Sequence, residues 1–162
     1  MIAVTTRSRG EAMSSDDNPR VFLPPPVIFA GLLGAGLMLD SDPLRVAPVS
    51  VIGVAIAAGG LALIAVALGL FRSGRTRPEP WQPASSLVVS GLYRFTRNPM
   101  YLGMALLSLG VALAFASLPG ALLSAAALGL IDRFVVPREE AYLSRRFGPD
   151  YSAYSARVRR WL

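Results

Sequence analysis

The stretch VSVIGVAIAAGGLALIAVALGLF, Val49–Phe71, decides the fold, because it is a run of 23 residues without a charge that ends abruptly at Arg72. As a helix it rises about 35 Å, which is enough to cross the roughly 30 Å hydrocarbon core of a bilayer. The composition agrees, since 53% of the 162 residues are hydrophobic and only 16% are charged. So few charged groups cannot cover a soluble globule of this size, and the sequence therefore predicts an integral membrane protein.

The apolar segment before it, Val21–Leu39, is the weakest candidate span. Its three prolines at positions 24–26 are expected to prevent a helix before about Val27, which leaves 13 apolar residues. Such a helix rises only about 20 Å, a length that also suits the core of a signal peptide. The acidic residues before it and the lack of a small-x-small cleavage site favour a retained helix. We interpret the polar residues 1–20 as a flexible tail.

Two more apolar segments follow the central one. Met100–Leu118 has 19 uncharged residues, and Ala121–Val136 is interrupted near its end by two charged residues. Pro119-Gly120 predicts a tight hairpin between these segments. The chain is therefore predicted to be an all-α integral membrane protein with about four transmembrane helices, which form a single domain over residues 21–162.

Small residues recur at four-residue spacing in these segments, for example at Ala55 and Gly59. Such spacing lets helix backbones approach one another closely in a membrane. It predicts tight helix packing and indicates no chemistry by itself.

The sixteen basic residues, all of them arginine, are unevenly distributed between the apolar segments. Three precede the first segment, five lie in residues 72–98 and seven lie from residue 133 onward, whereas the first loop has only Arg45. Alternate segments thus carry fifteen arginines on one side and one arginine on the other. This is a positive-inside pattern, so both termini and the loop 72–98 are expected in the cytoplasm. The expected location is a bacterial inner membrane. Membrane lipid is the expected partner of the arginines, and no nucleic acid is expected.

The chain contains no cysteine, no histidine and no lysine. This excludes disulfides, Ser-His and Cys-His catalytic pairs, Schiff-base chemistry and zinc sites with the usual ligands. No metal is expected in the site.

The loop before the third segment is rich in proline, aromatic residues and arginine, and it leads into that segment through RNPMYLG at residues 97–103. Each residue type also has an ordinary role at the start of a helix. Asn98 suits the N-cap, Pro99 the first helical position and Gly103 close packing. Tyr93 and Tyr101 suit the membrane interface.

The segment after Pro137 predicts a pair of amphipathic helices at the cytoplasmic membrane surface. Leu143 and Phe147 fall on one face of the first helix. An apolar face of the second helix comprises Tyr151, Tyr154, Val158 and Trp161. The arginines at 157, 159 and 160 are expected to be available to lipid phosphates. Two adjacent acidic residues near the start of the first helix complement its dipole.

Together, these two segments resemble the isoprenylcysteine carboxyl methyltransferase and phospholipid methyltransferase superfamily of membrane enzymes. The resemblance covers roughly residues 75–162, and its parts stand in order across a helical hairpin. It rests on the pattern Arg97-Asn98-Pro99-x-Tyr101-x-Gly103, followed by Glu139-Glu140-x-x-Leu143-x-x-x-Phe147-Gly148-x-x-Tyr151-x-x-Tyr154-x-x-x-Val158. It implies an S-adenosylmethionine-dependent methyltransferase whose cofactor lies in a cytoplasm-facing pocket between the two segments.

The same resemblance implies which residues form the site. The implied catalytic residues are Arg97, Glu139 and Glu140. The implied cofactor-binding residues are Tyr93, Arg97, Asn98, Pro99, Tyr101, Gly103, Glu139 and Glu140. Which glutamate binds the ribose or the amino group stays open. The family's motif is usually written with histidine at the position of Asn98, and small bacterial relatives often carry asparagine there. A mechanism that needs an imidazole base therefore cannot operate in this chain.

Methyl transfer from a sulfonium is compatible with the residue types that the chain has. The leaving group is already activated, and alignment can supply about 7–11 kcal/mol without a nucleophile on the enzyme. An acceptor carboxylate or thiolate needs no base, whereas an amine needs Glu139 or a tyrosine to take a proton. We expect a small or amphiphilic acceptor at the cytoplasmic membrane face.

A different class of function is a catalytically inactive family member that acts as a membrane scaffold or a small-molecule binding protein. Binding of S-adenosylmethionine would distinguish the enzyme from the scaffold. A proton-coupled exporter is disfavoured, because exporters generally need a carboxylate near the bilayer midplane. Asp132 lies toward the expected cytoplasmic end of its segment, where a local ion pair with Arg133 explains it more simply.

Overall fold

The structure is a computed structural model that describes residues 4–6, 23–40, 50–73 and 86–162. These residues are mostly helical, which confirms the all-α class. The helices are α1 Pro25–Met38, α2 Ser50–Ser73, α3 Pro99–Ala114, α4 Leu118–Leu130, α5 Val136–Phe147 and α6 Pro149–Ser155. A π-helical turn, Ile131–Val135, joins α4 to α5, and a 3-10 turn, Gly91–Arg94, precedes α3.

Two short strands accompany the helices. β1 Val4–Thr6 pairs antiparallel with β2 Ser86–Val88, with Thr5 opposite Leu87. β1 therefore lies inside the segment that we interpreted as a flexible tail, and the rest of residues 1–20 lies outside the described residues. The first loop, residues 41–49, and residues 75–85 of the motif-bearing part also lie outside them.

The start of α1 corrects the expectation that helix cannot begin before Val27. The helix begins at Pro25, with Pro26 as its second residue. The first N–H groups of a helix have no intrahelical acceptor, so prolines there lose no hydrogen bond, and their fixed φ already suits the helix. The prolines therefore begin α1 and do not delay it.

Two helices of the described part are long and apolar enough to cross a bilayer. One is α2 from Val51 onward, and the other is the continuous helix Leu118–Phe147, which comprises α4, the π-helical turn and α5. The apolar helices α1 and α3 are shorter, with 14 and 16 residues. Length and composition thus support a membrane protein with at least two spanning helices.

The helices α2 and α3 pack backbone against backbone. A Cβ added at Gly60 would meet the Leu107 amide nitrogen and would lie 2.6 Å from the carbonyl oxygen of Gly103. The predicted close packing is confirmed, but it uses a different face of α2 from the one indicated by Gly59, where an added Cβ would meet no other described part of the chain within 4 Å. Glycine is required at position 60 because any side chain there would push the two helices apart.

The connection between α3 and α4 differs from the hairpin predicted at Pro119-Gly120. The chain turns at residues 115–117, and Pro119 and Gly120 already belong to the first turn of α4. Ser117 is the N-cap, and its side-chain oxygen accepts a hydrogen bond from the Gly120 amide at 3.0 Å. The serine cap, with proline in the first turn, therefore starts this helix at Leu118, three residues before the expected Ala121.

The helix also continues through Pro137, where the sequence suggested a new segment. Proline has no N–H to donate, and its ring collides with the carbonyl four residues earlier in a regular helix. The π-helical turn Ile131–Val135 stands directly before this position and widens the backbone there. One continuous helix therefore carries the residues from α4 to the two adjacent glutamates.

The C-terminal part confirms one predicted face and corrects another. Phe147, Tyr151 and Tyr154 are buried together with Leu87 of β2, and Leu143, Val89 and Val158 pack against them. The second helix ends at Ser155, so Trp161 does not share its face. Trp161 packs instead against a separate core cluster around Ile131.

Candidate active site

The two motif segments meet at one end of the helices. Arg97 lies just before α3, and Glu140 lies in the first turns of α5. The Nη1 atom of Arg97 is 3.1 Å from the Oε1 atom of Glu140, and the two side chains are only 18% and 21% exposed. This ion pair connects residues 43 positions apart, so it exists only because the helical hairpin brings both segments back together.

The neighbouring acid makes a second connection between the same helices. The Tyr101 hydroxyl donates a hydrogen bond to Glu139 Oε1 at 2.5 Å. Tyr101 is 8% exposed and belongs to the core cluster around Ile131 and Phe29. The two adjacent glutamates therefore have different surroundings, with Glu139 bonded to a buried hydroxyl and Glu140 to a guanidinium.

Asn98 occupies the predicted N-cap position of α3 but does not cap the helix with its side chain. Its Nδ2 atom donates to the Arg160 carbonyl oxygen at 3.1 Å. Thr96 Oγ1 donates to the same carbonyl at 2.9 Å, and the Arg97 amide donates to the Arg159 carbonyl at 3.0 Å. Asn98 thus binds the C-terminal tail, residues 157–162, in place of the helix end.

The side chain of Arg160 binds two acids at once. Its Nη2 and Nε atoms donate to the two oxygens of Glu140 at 2.7 and 3.2 Å, and its Nη1 atom donates to Asp132 at 3.2 Å. The hydrogen bond to Glu140 and the nearby acid charges raise the pKa of Arg160 further above its usual value, so the guanidinium stays charged.

Two expectations about these residues are wrong. Arg160 was expected to be available to lipid phosphates, but its guanidinium is engaged by Glu140 and Asp132. Asp132 was expected to pair with Arg133, but it accepts hydrogen bonds from Arg160 and from Trp161 Nε1, the latter at 2.9 Å. The partners of these charged side chains come from distant positions in the chain, and local spacing does not indicate them.

Two aromatic residues complete the polar cluster next to Arg97. Arg97 Nη1 donates to the Tyr151 hydroxyl at 3.4 Å, and the Tyr154 hydroxyl donates to the Tyr93 carbonyl at 2.9 Å. Burial raises the pKa values of Tyr151 and Tyr154 above their usual range, so both hydroxyls stay protonated. They serve this site as neutral hydrogen-bonding groups.

The remaining implied site residues lie around the cluster and have structural contacts. Gly103 faces α2, where an added Cβ would lie 2.9 Å from the Gly60 carbonyl oxygen. Pro99 is fully buried at the first position of α3. The buried Tyr93 ring meets Phe71 edge to face, with centroids 5.6 Å apart. The structure thus brings together Arg97, Asn98, Tyr101, Glu139 and Glu140, and gives packing contacts to the other three.

An apolar groove adjoins the cluster. It has a volume of about 570 Å³ and lies between α1, α2 and α3. Its walls include Phe29 and Ala30 from α1, Leu68 from α2 and Met104 from α3. Tyr101, whose hydroxyl binds Glu139, also lines it. The groove therefore extends from the polar cluster along apolar helix surfaces.

The comparison with protein families identifies the family of the chain. The model of the phospholipid methyltransferase family matches residues 49–150, which is more than half of the chain. The chain belongs to that family. The long apolar helices of the described part agree with membership of this family. The matched range includes Arg97 and Glu140 and ends before Arg160.

A relative with no stated function is also similar to this member of the phospholipid methyltransferase family. An uncharacterized protein of Haemophilus influenzae is 48% identical to it over 33 residues, which are 20% of this chain and 52% of the relative. The match thus spans about half the length of the curated relative. No solved structure matches the chain.

The residues of the cluster fit the cofactor that phospholipid methyltransferase family members typically use, S-adenosylmethionine. The cofactor's amino and ribose groups need acceptors, which Glu139 and Glu140 provide, and its carboxylate needs donors. Arg97 is such a donor, and its Nε atom is buried without a hydrogen-bond partner in the described part of the chain. A buried guanidinium N–H without an acceptor is costly, so a bound anion there would stabilise the site.

Sequence reasoning missed three members of the cluster, namely Asp132, Arg160 and Trp161. Asp132 and Arg160 are 28 positions apart, and Glu140 and Arg160 are 20 apart. No helical or strand periodicity relates such positions. The C-terminal arginines offered charge partners for Asp132 and Glu140, but seven arginines follow residue 132 and the sequence does not select among them.

Proposed function

We propose that the protein is an S-adenosylmethionine-dependent methyltransferase that methylates a small or amphiphilic acceptor at the cytoplasmic face of the membrane. The observation that carries this proposal is the Arg97–Glu140 ion pair, which joins the two motif segments of a membrane methyltransferase family in one cluster. A donor and two acceptor carboxylates beside one another are the groups that such a cofactor needs.

Each polar residue has a distinct proposed role. Glu140 or Glu139 accepts hydrogen bonds from the ribose or amino group, and Arg97 with the first amides of α3 binds the carboxylate. The α3 N-terminus adds a favourable potential for an anion, because its first N–H groups have no helical acceptor. When bound, S-adenosylmethionine supplies the methyl group on a sulfonium sulfur that is already activated for displacement.

The protein's contribution to the reaction is alignment and exclusion of water. Alignment alone accounts for about 7–11 kcal/mol of a barrier in favourable cases. A carboxylate or thiolate acceptor arrives without a proton to remove. For an amine acceptor, the Glu139 carboxylate is the proposed proton acceptor, since the Tyr101 hydroxyl bonded to its Oε1 atom already orients it.

We also propose the four-span topology, with α1, α2, α3 and α4, which is the apolar first part of the continuous helix Leu118–Phe147, in the membrane. Both termini would then lie in the cytoplasm of a bacterium, and the segments around α5 and α6 would lie on the inner leaflet. The arginine distribution supports this topology. Fifteen of the sixteen arginines lie before the first apolar segment, in residues 72–98 or from residue 133 onward, and the four-span topology places these three segments on the same side of the membrane. The meeting of Arg97, Glu140 and Arg160 at one end of the helices is consistent with it.

The apolar groove supports an amphiphilic acceptor over a fully water-soluble one. Its apolar walls suit an alkyl chain, and Tyr101, which lines the groove and hydrogen-bonds to Glu139, leads to groups that suit a polar head. Membrane lipid around the helices would also be a partner of the protein. An acceptor with a chain in the groove would place its reactive head near the polar cluster.

Binding and transfer by the purified protein test the proposed function. We expect wild-type protein in lipid nanodiscs to bind S-adenosylmethionine in a calorimetric titration. With labelled cofactor it should transfer the methyl group to an acceptor in a membrane lipid extract, or to a simple thiol, amine or carboxylate carrying an alkyl chain. Folded protein that binds no cofactor and labels no acceptor would contradict the proposal and leave the scaffold alternative.

Filling the groove tests the place of the acceptor's chain. Ala30→Trp should raise the KM for a long-chain acceptor by about 15-fold, because excluding two CH₂ groups costs about 1.6 kcal/mol. The Kd for S-adenosylmethionine should not change. Ala35→Trp is the matched control, since Ala35 is an exposed residue of α1 that does not line the groove. Equal KM changes for short-chain and long-chain acceptors would rule out the groove as the chain site.

A further inference from the structure

The C-terminal tail connects to both motif segments at the same residue. The main-chain carbonyl of Arg160 accepts hydrogen bonds from Thr96 and Asn98, before α3. The side chain of Arg160 meanwhile binds Glu140 of α5 and Asp132 of the π-helical turn. One residue of the tail thus contacts each of the segments that the proposed cofactor would bridge.

The tail is held in this place by its neighbours as well. The Arg159 carbonyl accepts from the Arg97 amide at 3.0 Å, and Trp161 Nε1 donates to Asp132 at 2.9 Å. Arg160 is therefore anchored on both sides, and its guanidinium has a defined direction. A planar guanidinium that binds a carboxylate through two nitrogens fixes the orientation of that carboxylate, which a lysine ammonium does not.

We propose that Arg160 is a positioning residue, which holds Glu140 at the correct distance from the segment 96–98 so that both can bind one small molecule. This inference rests on the proposed function for the identity of that molecule, but the positioning itself does not depend on it. Without Arg160, Glu140 would keep one guanidinium partner, Arg97, and the tail would lose its side-chain link to α5.

The competing interpretation is that Arg160 blocks the site, because it occupies oxygens of Glu140 that a cofactor would need. The two interpretations predict opposite changes in the Kd for the cofactor when Arg160 is replaced. A positioning residue strengthens cofactor binding, so its loss raises the Kd, whereas a blocking residue competes, so its loss lowers the Kd. We favour positioning because Arg160 also binds Asp132, and because its main chain supports Thr96 and Asn98 independently of Glu140.

The test compares Arg160→Gln and Arg160→Lys with Arg159→Gln, whose exposed side chain makes it a matched control. We expect Arg160→Gln to raise the Kd for S-adenosylmethionine about tenfold, which corresponds to ~1.4 kcal/mol. Arg160→Lys should recover part of this loss, because it restores the charge without the two-nitrogen geometry. Arg159→Gln should match wild type. An unchanged or lowered Kd for folded Arg160→Gln would overturn the proposal.

A distance measurement between two spin labels tests the positioning role of Arg160 without cofactor. The chain has no cysteine, so spin labels can be placed at Phe95→Cys and Ala141→Cys, two exposed positions beside the segments. We expect a narrow distance distribution in the wild-type background and a broader one with Arg160→Gln, but no broadening with Arg159→Gln. An equally narrow distribution with Arg160→Gln would contradict the positioning role. Wild-type protein that shows the expected distances but binds no S-adenosylmethionine would instead contradict the proposed function.

Discussion

Glu140→Gln is expected to weaken binding of S-adenosylmethionine by about 30-fold or more, because removing one charge of a partly buried charge pair costs about 2–5 kcal/mol. The substitution keeps the size of the side chain and removes its charge. Glu140 is bound by Arg97 on one oxygen and by Arg160 on both, so a neutral amide there leaves two guanidinium groups facing each other. It also removes an acceptor that we assign to the cofactor.

The measurement is a calorimetric titration of variant protein in nanodiscs, with folding checked by circular dichroism and gel filtration. Arg145→Gln is the control, because Arg145 is an exposed residue of the same helix and lies away from the cluster. It should bind the cofactor as wild type does. Since Glu140→Gln could weaken the fold, Arg97→Gln is measured as well, and it should also lose binding by about tenfold or more. Normal titration curves for both variants would remove Arg97 and Glu140 from the proposed site.

The second large effect concerns the packing of α2 on α3. Gly60→Ala is expected to lower the free energy of unfolding by about 2 kcal/mol, because inserting one methyl group into a close-packed contact typically costs about 1–3 kcal/mol. The added Cβ would meet backbone atoms of Leu107 and Gly103, which cannot move aside without separating the helices. We expect the cofactor site to be affected indirectly, since α3 carries Tyr101 into it.

Gly59→Ala provides the matched control at the neighbouring position of the same helix. Gly59 is exposed, and within residues 4–6, 23–40, 50–73 and 86–162 no atom beyond its own helix backbone lies within 4 Å of a Cβ added there. Alanine there should be neutral or stabilise by up to about 1 kcal/mol, since glycine in a helix interior is the less favourable residue. Unfolding in mixed detergent–SDS micelles measures both variants. Equal free energies of unfolding for Gly59→Ala and Gly60→Ala would show that α2 and α3 do not pack as described.

The comparison of these glycines shows what periodicity predicts and what it does not. Small-residue spacing correctly predicted that helices approach closely, because glycine and alanine permit it wherever they occur. It did not identify the face, since α2 contains small residues on several sides and only the position of α3 selects Gly53 and Gly60. The same applies to α1, whose start at Pro25 was missed because a run of prolines is compatible with both a helix start and an extended segment.

The site was predicted in part, and the missing part has a common cause. The residue pattern correctly paired the segment around Arg97 with the segment around Glu140. Asn98 was assigned to the helix cap on local grounds, but the structure shows its side chain bound to the Arg160 carbonyl. Arg160 itself was assigned to lipid, because nothing in its immediate sequence distinguishes it from Arg159. Local rules cannot find a partner that the chain brings back from 20 or more positions away.

The class of the protein follows from the amino-acid sequence alone. Apolar length, charge distribution and the order of the motif residues are properties of consecutive stretches, and the free energy of placing a stretch in a bilayer depends mainly on that stretch. Tertiary structure decided which polar groups meet, namely Arg97 with Glu140, Tyr101 with Glu139, and Arg160 with both Glu140 and Asp132. These contacts depend on how the helices pack and on where the tail returns, and the energy of such long-range contacts is not a sum of local preferences.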